Sequence, residues 1–137
     1  MRAAHEVREH REVSTHVVGA AIVRDGRTLA ARRARPSDLA GGWEFPGGKV
    51  ERDESEPAAL VRECREELGV VVQVGARLGE IAVGRIRLVL YSAALLGGEP
   101  EPREDHDQLR WLPAAELDSV AWLPIDRALL PLVAALL

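Results

Sequence analysis

The stretch from Gly48 to Val70, GKVERDESEPAALVRECREELGV, dictates a helix and then crowds it with charge. Helical periodicity starts near Glu54, and Ala58, Leu60, Val61, Cys64 and Leu68 fall mostly on one apolar stripe. Ser55 or Asp53 is placed to cap the start, with Glu56 and Pro57 in the first turn. Gly69 suits the position just past the end, where a helix closes through the left-handed region. Glu63, Glu66 and Glu67 stand at i, i+3 and i+4, so they share one face, roughly 5–6 Å apart at Cβ. Like charges at that spacing destabilise a helix by roughly 0.2–0.5 kcal/mol per pair. Something has to compensate, and a cation is the natural candidate.

Carboxylates converging on one spot suit Mg²⁺ or Mn²⁺, hard ions that take oxygen ligands. Mg²⁺ keeps several waters and shares its coordination sphere with substrate phosphates. The pattern therefore points to metal-assisted attack of water on a phosphoanhydride. Glu54 lies near the helix start, and the Gly47-Gly48 turn brings backbone close to the acidic face, where a glycine carbonyl can serve as a further ligand. Lys49 and Arg52 add positive charge nearby. The competing reading is a plain solvated face, since glutamate-rich helices dotted with arginine are common.

Spacing decides between the two. Gly48 is followed after five residues by Glu54, and after seven more by Arg62-Glu63-Cys64-Arg65-Glu66-Glu67-Leu68-Gly69-Val70. This resembles the Nudix box, GX5EX7REUXEEXGU with U aliphatic, and every fixed position matches. Seven fixed residues at average usage arise by chance roughly once in a million chains of this size. The resemblance implies an α/β/α sandwich around a mixed sheet, with the box as loop–helix–loop. It implies hydrolysis of nucleoside diphosphates linked to a further group, with a divalent metal. Carried onto this sequence, Glu63, Glu66 and Glu67 are implied as metal ligands, with the carbonyl of Gly47. Arg62 is implied to orient a box glutamate, most directly Glu63, and Glu54 to be a structural or outer carboxylate. The catalytic base is implied at Glu63 or at a later loop acid.

The likeness runs past the box. ARRARPSDLAGGWEFPGGKVE is similar to the MutT branch, which makes Arg33 a candidate phosphate clamp. Trp43 and Phe45 are candidates for shaping a base pocket, with core packing as the alternative. Asp105, six residues before Trp111, matches a loop acid that helps bind metal in that branch. His106 beside it is a candidate ligand or base, although a lone loop histidine is usually neither. Where MutT proper reads the oxidised base with an asparagine, this chain has Asp126. From DHDQLRWLPAAEL to LPIDRALLPLV it looks closest to the branch that cleaves CTP. A carboxylate only accepts hydrogen bonds, which suits the exocyclic amine of cytosine. A helix-start acid complementing the dipole is the other reading of Asp126. Nucleotide cleavage to a monophosphate and pyrophosphate, with a cytidine preference, is the expected activity. The rivals are 8-oxo-dGTP hydrolysis, another nucleoside-diphosphate substrate, and a non-enzymatic sensor, the last disfavoured because all the box glutamates are kept.

The rest of the chain fits one α/β domain over residues 15–137, behind a polar tail at 1–14. Val17–Val23 is a β-branched strand, Asp25-Gly26 a hairpin turn, and 28–32 the return strand. After a loop at 33–43 and the helix, strands are expected at 70–72, 78–83, 86–96 and 109–112. A polar loop at 99–107, a short helix at 113–117 and one final helix at 124–137 complete the order. A net charge of −4 argues against a partner of polymeric nucleic acid. A single cysteine, Cys64, excludes an internal disulfide and reads as a small buried hydrophobe. No apolar run reaches the roughly 20 residues of a membrane span, and the charged N-terminus has no signal-like core, so a cytoplasmic protein is expected. The C-terminal ALLPLVAALL either caps the sheet or meets another subunit, so a monomer or homodimer is expected.

Overall fold

The computed structural model describes residues 15–137. The expected tail at 1–14 lies outside the described residues. Strand β1 (Thr15–Arg24) carries the apolar β-branched run and turns at Asp25 and Gly26 into β2 (Arg27–Arg33). Both turn residues have positive φ, 53° and 71°, as a tight hairpin matched to strand twist requires. Pairing of β1 with β2 is confined to Val23↔Thr28 and Arg24↔Arg27. Beyond it the strands diverge, and two short strands fill the wedge. β3 (Trp43–Glu44) pairs with β2, and β4 (Gly47–Lys49) pairs with β1. The Gly47-Gly48 segment is thus strand rather than the expected turn.

On its other edge β1 runs parallel to β6 (Ile86–Gly97), which pairs antiparallel with β5 (Val71–Val83). β7 (His106–Pro113) joins the far side of β2. The sheet is therefore mixed, as expected. β5 is one long strand where two were expected. Its register slips between Val74 and Arg77 and again before Gly79, so continuous pairing to β6 survives the glycines that broke the sequence pattern.

Helix α1 (Glu56–Leu68) is capped by Ser55, whose side chain accepts from the Ala58 N–H at 3.1 Å, and closes at Gly69 with φ 69°. Its buried side is Ala59, Leu60, Cys64, Glu67 and Leu68, so Ala59 and not Ala58 faces inward. Leu60, Cys64 and Leu68 pack on Val18, Ala20, Ile22 and Leu29. The opposite face of the sheet, with Ala21, Ala30 and Leu90, is covered by Leu117, Leu130 and Val133. Leu117 comes from a 3-10 helix (Ala114–Ser119) and the other two from α3 (Leu130–Ala134), while α2 (Pro124–Arg127) adds the partly buried Ile125. The period of two in β1 thus feeds two cores. The single C-terminal helix expected at 124–137 is broken, because the Pro131 ring collides with the helical carbonyl four residues earlier, that of Arg127. Among the described residues, no helix is long and apolar enough to cross a membrane.

Candidate active site

Arg62 is the hub of the acidic face of α1. Its Nε and Nη2 donate to the two oxygens of Glu54 at 2.8 and 2.9 Å. Nη1 donates to Glu63 at 3.0 Å and to Glu66 at 2.9 Å, and Nη2 also reaches the Lys49 carbonyl at 3.0 Å. One guanidinium therefore gathers three of the crowded carboxylates and ties the helix to β4. The Arg62 hydrogen bonds hold Glu54 down at a pKa of about 2. Glu63 goes the other way, because burial outweighs Arg62 and raises it.

Glu67 is the buried member of the set. One oxygen accepts from the Gly47 N–H at 3.0 Å, which pins β4 against α1. Burial pushes its pKa up to about 8 against the lowering influence of His106, and nearby Glu63 and Glu44 add to the rise. A Cβ on Gly48 would meet the Glu63 carboxylate, so glycine there leaves Glu63 room to point into this region. Glu63, Glu66 and Glu67 line a polar cavity of about 200 Å³ together with Glu104 and Asp105 from the β6–β7 loop. That loop is fastened to the end of α1, where the Arg103 N–H donates to the Glu67 carbonyl at 3.0 Å. Asp105 reaches the cavity with both oxygens engaged, by Arg35 Nε at 2.7 Å and by Arg33 Nη2 at 3.4 Å.

A second cavity, of about 380 Å³, opens where β1 and β2 diverge. Leu39, Phe45, Leu88, Leu123 and Ile125 give it apolar walls, and Arg33, Glu44, Lys49 and Asp126 bring charge. Gly47 and Gly48 border it too, so β4 separates this cavity from the acidic one. Asp126 is 5% exposed and accepts from the Phe45 N–H at 3.0 Å. Burial, reinforced by Glu44, raises its pKa to about 8. That shift favours the protonated form, which can donate as well as accept, beside the acceptor-only carboxylate expected from the sequence. Phe45 lines the cavity while its ring packs on Trp122, centroids 4.8 Å apart. Trp43 belongs to the core.

A model of the NUDIX domain family matches residues 14–133. The chain belongs to this family. It is 53% identical over 116 residues to a Mycobacterium tuberculosis protein named "Putative 8-oxo-dGTP diphosphatase 2", covering 81% of this chain and 82% of the relative. It is 42% identical over 124 residues to the CTP pyrophosphohydrolase of Escherichia coli, covering 88% and 91%. The crystal structure of a MutT NUDIX hydrolase from Burkholderia pseudomallei superposes with a TM-score of 0.78 at 33% identity, covering 87% of this chain and 97% of that one. The chain is thus a Nudix hydrolase, of a family that acts on small nucleotide substrates and generally uses divalent metal ions.

The candidate site includes residues that the sequence pattern does not single out. Glu44 accepts from Arg33 Nη1 at 3.0 Å and from His106 Nε2 at 2.8 Å, and it lines the larger cavity. Its one local signal is its place between two buried aromatics, Trp43 and Phe45, on a short strand. Glu104 also lines the acidic cavity. Cys64 is buried among apolar side chains, and its thiol is pushed up to about 12, first by burial.

The oxygen-only donor set fits a hard divalent cation. Among the described residues no three acidic, histidine or cysteine side chains are already gathered to hold a metal ion. The cause is visible in the contacts: Arg62 holds Glu63 and Glu66, and the Gly47 N–H holds Glu67. Arg62 engages one oxygen each of Glu63 and Glu66 and leaves the other oxygen of each free for a cation, whereas Glu67 has to give up its proton to serve as a ligand.

Proposed function

We propose that the protein is a Mg²⁺- or Mn²⁺-dependent nucleoside triphosphate pyrophosphohydrolase that prefers cytidine nucleotides, releasing the monophosphate and pyrophosphate. Glu63, Glu66 and Glu67, with the Gly47 carbonyl and the loop acid Asp105, would hold the metal. The metal would supply charge neutralisation on the phosphates and a more acidic attacking water. Arg62 fixes where the box carboxylates point. Arg33, at the rim between the cavities, contributes positive charge toward the polyphosphate, and Glu63 is the candidate base that takes the proton from water. The base enters the apolar cavity beside Phe45.

The observation that carries the cytidine reading is Asp126, buried at that cavity beside Phe45. Its protonated form accepts from the cytosine amine and donates to the adjacent ring nitrogen, while its ionised form still accepts from the amine. The same protonated carboxyl also fits the lactam edge of 8-oxoguanine, which offers one donor and one acceptor. That property, together with the 53% identical relative, favours 8-oxo-dGTP as the second reading.

The two readings separate in kcat/KM for CTP, dCTP, 5-methyl-dCTP and 8-oxo-dGTP, measured with Mg²⁺ from pH 6 to pH 9. The cytidine reading expects the cytidine substrates to lead throughout. A clear preference for 8-oxo-dGTP overturns it.

A further inference from the structure

His106 opens β7 with a side chain that is 0% exposed. Its Nε2 lies 2.8 Å from Glu44 Oε2, and its buried Nδ1 has no hydrogen-bond partner among the described residues. With a carboxylate as the acceptor, Nε2 carries the hydrogen and donates it. The same Glu44 oxygen accepts from Arg33 Nη1 at 3.0 Å.

The three residues come from three neighbouring strands. β2 places Arg33 opposite His106 of β7, and its Ala31 opposite Glu44 of β3. Arg33 and Glu44 line the larger cavity, whereas His106 does not. The other anchors of Arg33 are weaker or lie in loops: Nε to the Arg35 carbonyl at 2.9 Å, and Nη2 to Asp105 at 3.4 Å. Glu44 is therefore the part-buried anchor of the guanidinium, and His106 is the group that holds Glu44 from behind.

We propose that His106 is a positioning residue: its Nε2–H fixes the Glu44 carboxylate, and Glu44 fixes the Arg33 guanidinium at the wall of the cavity read above as the nucleotide pocket. The chain of contact is one-directional, from a closed core position to a substrate-facing charge. Losing it frees Arg33 to swing toward Asp105 and away from the pocket. Because Arg33 meets substrate before and during the reaction, the loss falls on KM more than on kcat.

A relay of this kind differs from simple filling of the core. His106→Leu keeps bulk and removes the donor. His106→Gln keeps an N–H near the place of Nε2. Steady-state kinetics use the full chain and whichever nucleotide of the panel it turns over fastest, so a wrong assignment of the base does not enter. His106→Leu is expected to raise KM about tenfold with kcat changed by less than about threefold, and His106→Gln to restore KM to within about threefold of wild type. In a Glu44→Ala background His106→Leu should add less than about twofold, because its route is already cut.

Equal impairment of the Leu and Gln variants overturns the proposal, as do effects of His106→Leu and Glu44→Ala that simply multiply. If His106→Leu loses its cooperative thermal transition, nitrogen-edited NMR of the His106 ring decides. A slowly exchanging Nε2–H in the wild type that is lost in Glu44→Ala supports the relay, and an Nδ1–H tautomer overturns it. A chain that turns over no nucleotide in the panel sinks the proposed function instead, and the ring tautomer still tests the link from His106 to Glu44.

Discussion

Arg62 grips Glu54 through two parallel hydrogen bonds, 2.8 and 2.9 Å, and still has Nη1 left for Glu63 and Glu66. This geometry answers the problem posed by a helix face crowded with acid. The fork that neutralises the crowding also aims it, because Glu54 lies before the helix and fixes the guanidinium from outside. A lysine has neither the planar fork nor enough fixed donors for these partners. Arg62→Lys is expected to fold and to lose at least about tenfold in kcat, with the bidentate contact to Glu54 gone. Kinetics beside a thermal melt checks this, and wild-type kcat in the lysine variant would remove Arg62 from the machinery.

Glu66 and Glu67 should separate activity from stability. Glu66 is half-exposed, and Glu67 is buried with a hydrogen bond from Gly47. A glutamine at either position keeps shape and an accepting oxygen while losing the charge that a cation needs. Glu66→Gln and Glu67→Gln are each expected to lower kcat by about a hundredfold or more while leaving a cooperative melt. Near wild-type turnover in either variant refutes its role as a ligand.

The box acids were readable because one short helix carries them, so spacing alone fixes their common face. Arg33 is a candidate only through likeness to the MutT branch, and Asp126 only through likeness to the branch that cleaves CTP. Glu44 and the setting of His106 were missed because their meeting is non-local, made by β3 and β7 lying on opposite edges of β2. The wedge between β1 and β2, which makes the larger cavity, was equally invisible: a hairpin signal says where strands turn, not how far they stay paired. Pro131 was in plain view, and the break it causes before Leu130 was overridden by the apolar run around it.

Proton uptake by Glu67 and Asp126 should shape stability in the metal-free protein. Both folded pKa values, about 8, stand above the ordinary 4.5 and 3.8, so the folded state binds these protons more tightly than the unfolded chain. Their contribution to stability is fully present below the ordinary values and is lost as pH rises through about 8. The thermal midpoint of the metal-free protein should therefore fall between pH 5 and pH 9. Asp126→Asn and Glu67→Gln should each flatten that fall. A midpoint that rises with pH over this range, or variants with the wild-type slope, would contradict the buried protonated acids.

The two glycines of β4 should fail in different ways. A Cβ on Gly47 would drive into the backbone carbonyl of Val18 on β1, and backbone on both sides leaves no flexible group to yield. Gly47→Ala is therefore expected to cost about 2–4 kcal/mol through lost β1–β4 pairing, the range of overpacking with a broken backbone contact. On Gly48 the same atom meets the Glu63 carboxylate, which can rotate aside. Gly48→Ala should therefore melt within a few degrees of wild type while losing most of its kcat, because Glu63 is turned from the cavity it shares with Glu66 and Glu67. Thermal melts and turnover measured on the same two proteins check the contrast. A Gly48→Ala enzyme with full activity would show that the position of Glu63 is not needed, and a Gly47→Ala protein as stable as wild type would show that β4 does not clamp α1 to β1.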